Sequence, residues 1–130
     1  MPGAVDRSSA RARSGQDAGM RDGADHVGAV AEATARALAG NLETHGAKLE
    51  QQGKLFVRDR LALLLDEGSF VEDALLANNQ GDDLPADGVV TGTGTIEGRR
   101  VCVVANDPTV KAGSWGARTV EKMIRAAEYA

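Results

Sequence analysis

One cysteine in 130 residues excludes an internal disulfide, so the fold must rest on burial and hydrogen bonding. That residue, Cys102, is flanked by valines in a strand-like run with no histidine nearby in sequence, which reads as a buried apolar thiol and not a nucleophile. Aromatic residues are scarce too, at 3%, leaving a core few large anchors. Basic charge is in deficit, with 15 Lys and Arg against 19 Asp and Glu, and no basic stripe runs along the chain, which argues against a nucleic-acid partner. Long apolar runs are missing too. Residues 61–65 and 101–105 are the longest, far short of a membrane span, and the N-terminus has no apolar signal core. The expectation is a cytoplasmic protein without a membrane partner. His26 and His45 lack Cys or His neighbours at ligand spacing, so no metal site is expected.

Residues 1–24 are rich in Gly, Ser, Ala, Arg and Asp but hold no Leu, Ile, Phe or Trp. Such a stretch cannot bury enough apolar surface to offset its ordering entropy and reads as a disordered tail. A helical arm follows over 25–66. Val27, Val30, Ala31, Thr34 and Leu38 recur at spacings of three and four, Gly40 can end that helix, and a second runs from Leu42 to Gln52. A third sets Val57, Leu61, Leu64 and Leu65 on one face, with Gly68 placed to stop it. Phe70 and Val71 begin an extended segment, and "NNQGDDLPADG" reads as a polar loop.

Residues 88–105 read as a β-hairpin around Glu97-Gly98, where Gly98 can take positive φ. On its first strand Val89, Thr91, Thr93 and Thr95 share one face. Val90, Gly92, Gly94 and Ile96 share the other, whose glycines admit a neighbour closely. "VCVVA" is apolar on both faces, the pattern of a strand covered on both sides. A last helix, 117–130, carries the stripe Val120, Met123, Ile124 and Ala127, read as core packing, opposite Arg118, Glu121, Lys122 and Arg125. The pairs Asp66/Glu67, Glu72/Asp73 and Asp82/Asp83 read as capping and loop solvation, not as an acid–base dyad.

Two glycine motifs fail as nucleotide signatures. "GTGTIEG" has its third glycine one position late and is followed by a strand, and "KAGSWGART" lacks the Gly-Lys-Ser/Thr triplet of a phosphate loop. What remains is physical: Gly113 and Gly116 bracket Ser114 and Trp115 before a helix N-terminus, where free backbone N–H groups can meet a carbonyl or phosphate oxygen.

Taken in order, "GKLFVRDRLALLLDEGSFVED", "LPADGVVTGTGTIEGRRVCVVANDPTVKAGSWG" and "ARTVEKMIRAAEYA" resemble the carboxyltransferase (β) subunits of biotin-dependent acyl-CoA carboxylases. The resemblance runs from about residue 24 to 130, is most specific over 55–130, and in "ANDPTVKAGS" is nearest the methylcrotonyl- and geranyl-type branch. It implies an α/β fold, the N-terminal fragment of a crotonase-like (ClpP/crotonase) spiral of ββα units, here a truncated domain over 25–130 behind the tail. The implied reaction passes the carboxyl group of carboxybiotin, held on a carrier protein, to the α-carbon of an acyl-CoA, with no cofactor bound directly. Backbone N–H pairs stabilise the developing oxyanions. In the family these lie at Gly-Gly or Gly-Ala steps on later segments, so no catalytic residue is expected within these 130 and the fragment is expected to be inactive by itself. The resemblance gives Lys111, Ala112, Gly113, Ser114, Trp115 and Gly116 to the acyl-CoA pocket, Ala112 standing where many members have a second glycine. Trp115 reads as a packed aromatic or as a wall of the acyl pocket. Implied partners are a biotin carboxylase/biotin carrier subunit and further copies of the subunit. A non-catalytic module docking onto full-length subunits and part of a related acyl-CoA decarboxylase are the alternative readings.

Overall fold

The computed structural model describes residues 8–79 and 84–130, with side chains from residue 23 onward. Two compact units divide the chain, residues 1–32 and 33–130, and the site described below lies within the second. Helices α1 (Ser8–Ala39), α2 (Leu42–Gln51) and α3 (Val57–Leu64) precede strands β1 (Val71–Asp73), β2 (Val89–Ile96) and β3 (Arg99–Asn106), and helix α4 (Thr119–Tyr129) closes the order.

Helix α1 starts at Ser8, so residues 8–24, expected as an unstructured tail, carry helical backbone. Ala, Arg, Gln and Met in that stretch are residues of good helix propensity. Gly40 ends α1 at φ +59°, as its glycine suggested. Within the second unit, the periodic residues of this helix divide, Thr34 being half-buried and Leu38 exposed. Ala37 is buried beside it, and its carbonyl accepts from Arg58 Nη2 at 3.2 Å.

Helix α3 stops at Leu64, not at Gly68. Leu65 is already extended, with ψ 153°, and is buried, whereas Leu64 is exposed. The cause lies one residue on, where Asp66 N donates to Thr95 O at 2.8 Å and turns the chain onto the sheet. The buried cluster beneath α3 joins Phe56, Val57, Leu61 and Leu65 to Val90 and Val103.

The sheet has order β1-β2-β3, antiparallel throughout, with Val89 opposite Asn106 and Ile96 opposite Arg99. Glu97 (φ 51°) and Gly98 (φ 76°) both take left-handed conformations, the geometry whose twist suits a two-residue hairpin. Asp66 fixes this turn, accepting from Glu97 N and Gly98 N, each at 2.9 Å, and from Thr95 Oγ1 at 2.5 Å. The Thr95 hydroxyl bond and then the two amides hold its carboxyl below the usual carboxylate range. Gly92 serves the close approach expected of it, since a methyl group there would meet the Phe70 ring at 2.8 Å and the Val71 carbonyl. Strand β3 is less covered than its composition suggests: Val103 is buried, Cys102 half-buried and Val104 exposed.

Helix α4 turns the expected face outward. Val120 and Ile124 are 48% and 55% exposed, while Thr119, Lys122 and Ala126 are buried. Arg125 pairs with Asp73 through two bonds of 2.9 Å, which lowers the aspartate pKa and raises that of the arginine. The acidic pair Glu72/Asp73 is therefore engaged in ion pairs, Glu72 meeting Arg58 at 2.5 and 3.1 Å. Asp82 and Asp83 lie outside the described residues.

Candidate functional site

The base of the β2–β3 hairpin is flanked by two short left-handed turns. Before β2, Ala86 (φ 50°), Asp87 (φ 53°) and Gly88 (φ 72°) are all left-handed. After β3, Lys111 (φ 44°), Ala112 (φ 53°) and Gly113 (φ 81°) repeat the pattern. Four of these six residues carry a Cβ that such a conformation disfavours, so surrounding bonds must hold them there.

Those bonds are present. Asp87, at the end of the stretch read as a polar loop, is 1% exposed. Its Oδ1 accepts from Asn78 Nδ2 at 2.9 Å, and its Oδ2 accepts from Arg118 N at 2.7 Å and Thr119 Oγ1 at 2.9 Å. Gly116 N donates to Thr119 Oγ1 at 2.7 Å. Lys122, placed by its sequence on the solvent face, is 1% exposed, and its ammonium donates to Ala86 O at 2.8 Å and to Val89 O. Burial pulls its pKa down from 10.5 to about 8, against the opposing pull of Glu72, Asp87 and Asp73. At the far side, Asp107 Oδ1 accepts from Thr109 N at 2.8 Å and from Thr109 Oγ1 at 2.6 Å, and Thr109 Oγ1 accepts from Asn41 N at 3.1 Å.

The six residues expected in a ligand pocket form one continuous turn leading into α4. Lys111, Ala112, Ser114 and Trp115 are exposed, and Gly113 and Gly116 are half-buried. Trp115 is 63% exposed, so it is not packed against the described residues. Four of the N–H groups expected to be free before the helix are already engaged. Gly113 N donates to Val110 O and Ser114 N to Lys111 O, each at 2.9 Å, while Gly116 N and Arg118 N go to Thr119 and Asp87. A ligand here meets the turn's outer surface and the exposed indole. Asp87 and Lys122 are the residues that sequence reasoning missed. Their only sequence signal is a proline-led turn, "LPADG", whose polar groups need partners when buried.

Two cavities adjoin the turn. A groove of about 760 Å³ runs between α3 and β3, lined by Leu61, Leu64, Val101 and Val103 and reaching Gly113. A pocket of about 240 Å³ lies beside it, sharing Lys54 and Pro108, where His45, Lys48 and Gln52 on one face of α2 adjoin Ala112. No carboxylate lines that second pocket, although the chain as a whole is acidic. Among the described residues no group of three or more His, Cys, Asp or Glu could hold a metal, and no helix is long and apolar enough to cross a membrane.

These elements define a carboxyltransferase-type domain: residues 48–130 match the carboxyl transferase domain family, and the chain belongs to it. It is 54% identical over 99 residues to the uncharacterized carboxylase YngE of Bacillus subtilis, covering 76% of this chain and 19% of that protein. It is 46% identical over 99 residues to the biotin-dependent 3-methylcrotonyl-coenzyme A carboxylase beta1 subunit of Mycobacterium tuberculosis, covering 74% and 18%. Among solved structures, transcarboxylase 12S with methylmalonyl-coenzyme A and methylmalonic acid bound superposes with a TM-score of 0.72 at 37% identity, over 81% of this chain and 22% of that one. The geranyl-CoA carboxylase beta subunit of P. aeruginosa gives 0.58 at 32%, over 73% and 20%. The α/β, crotonase-like fold implied by the resemblance is the fold of these structures. The chain spans about a fifth of the length of these relatives.

Proposed function

We propose that this chain forms the N-terminal part of an acyl-CoA carboxyltransferase and that its 111–116 turn contacts the acyl-CoA. The observation that carries the reading is the placement of the turn. Gly113 borders an apolar groove and Ala112 borders a pocket lined by bases without acids. Acyl-CoA has both characters, an apolar thioester arm and a polyanionic nucleotide. Because amides 113, 114, 116 and 118 are bonded internally, the turn acts through shape, the Trp115 indole and the nearby cations, not as an oxyanion hole. Carboxybiotin, brought by a biotin carboxylase/biotin carrier subunit, supplies the carboxyl group, and the subunit assembles with copies of itself, as transcarboxylase 12S does in its hexamer assembly.

The test is kinetic. In a hybrid subunit, this chain replaces the segment it matches in the Mycobacterium tuberculosis beta1 subunit. Gly113→Ala strains a φ of +81° and should raise the KM for acyl-CoA about fivefold, leaving the KM for carboxybiotin unchanged. Trp115→Ala should alter the preference among acyl chain lengths. Silence of both variants in an assembled, active hybrid would reduce the turn to a connector.

A further inference from the structure

The segment from Asp107 to Thr119 is gripped at both ends by one dipeptide. At its start, Asp107 N donates to Gly88 O at 2.9 Å, and Gly88 lies so near Val110 that a methyl group on it would meet that side chain at 3.2 Å. At its end, the Asp87 carboxylate takes Arg118 N and Thr119 Oγ1, and a methyl group on Gly116 would lie 2.6 Å from its Cγ. Behind the dipeptide, Lys122 holds the flanking carbonyls of Ala86 and Val89, and Thr119 Oγ1 also meets Asp87 O at 3.1 Å. The candidate acyl-CoA turn is thus a loop whose two ends are tied at neighbouring residues, with a buried carboxylate at the knot.

We infer that Asp87 is a positioning residue for substrate binding: through Thr119 and the Arg118 and Gly116 amides it presets the 111–116 turn before acyl-CoA arrives. This rests on the reading of that turn as an acyl-CoA contact. A carboxylate that served only as a remote cap for α4 would stabilise the helix and leave the turn's order and ligand affinity unaffected. The two roles separate at Thr119, whose hydroxyl alone joins Gly116 N to the carboxylate.

The experiment uses the 130-residue chain, with amide exchange followed residue by residue and propionyl-CoA affinity measured by calorimetry. Thr119→Val keeps the side-chain shape and removes the hydroxyl. It should speed exchange at Gly113, Ser114 and Gly116 about tenfold and weaken propionyl-CoA by a similar factor. Thr119→Ser should restore both, and Asp87→Asn should reproduce the loss. Should Thr119→Val and Asp87→Asn loosen only α4, with turn exchange and affinity at wild-type values, the inference is overturned. The exchange arm needs no ligand. A wild-type chain that ignores propionyl-CoA would therefore remove the functional reading of the turn, while exchange still decides whether Asp87 fixes it.

Discussion

Lys122 donates through its ammonium to the carbonyl oxygen of Ala86 at 2.8 Å, across 36 residues of sequence. The side chain is 1% exposed and shares its protons with Val89 O, so a helix residue that looks solvent-facing instead anchors α4 to the entrance of β2. Lys122→Ala removes both donors and the buried methylenes. It should cost about 2 kcal/mol or more in urea unfolding, since buried carbonyls lose partners and a cavity is left.

The same lysine makes stability depend on alkaline pH. In the unfolded chain it keeps its proton up to 10.5, whereas in the folded chain it gives it up near 8. Between those values the unfolded state binds more protons, so stability rises with pH. The full difference is on the order of 3 kcal/mol. Below pH 8 the penalty is constant. Melting temperatures from pH 7.5 to 10 should climb relative to Lys122→Met, and a parallel pair of curves would contradict the assignment.

Asp66 gives the opposite limb. Its folded pKa is depressed by Thr95, Gly98 and Glu97, so its contribution is present above its usual 3.8 and lost as pH falls through the folded value. Asp66→Asn should speed amide exchange at Glu97 and Gly98 at neutral pH. Unchanged protection would mean the turn holds without that carboxylate.

Much of this was legible in the sequence, and the failures have physical reasons. The hairpin was readable because Glu97-Gly98 and the alternation around Gly92 are local signals. The same is true of the end of α1 at Gly40. Helix α4 was misread because periodicity assumes that apolar residues face inward and lysine outward. Lys122 breaks that rule by finding carbonyl acceptors in a segment too distant for any local pattern to reveal. The "LPADG" stretch looked like surface loop for a related reason. Polar residues can be buried when every group is bonded, and Asp87 is. The 111–116 segment does form a turn ahead of α4, but its amides were expected to be open, and the bonds of Gly113, Ser114 and Gly116 to Val110, Lys111 and Thr119 depend on a folded geometry that no local pattern reveals.

Ala112 occupies a left-handed conformation, φ 53°, without glycine's freedom. Ala112→Gly should therefore raise unfolding stability or leave it level, the relief of about 1 kcal/mol offset in part by the greater entropy of the unfolded chain. A clear loss of stability would show that the turn is not left-handed at this position.

The base-lined pocket predicts a salt-sensitive contribution from Lys48. In the hybrid subunit, Lys48→Ala should raise the KM for acyl-CoA a fewfold, roughly 1 kcal/mol at low salt and less at high salt. The KM for the same acyl group on pantetheine, which lacks the nucleotide phosphates, should not change. Equal effects on the two substrates would place the phosphates elsewhere.

The central claim is that the 111–116 turn touches the substrate. Titrating the isotope-labelled chain with methylcrotonyl-CoA while following backbone amide shifts tests it most directly. The account predicts saturable changes at Lys111, Ala112, Gly113, Ser114, Trp115 and Gly116, with the Trp115 indole N–H among the largest. Saturable changes confined to other parts of the chain, with these six residues and the indole unmoved, would contradict it.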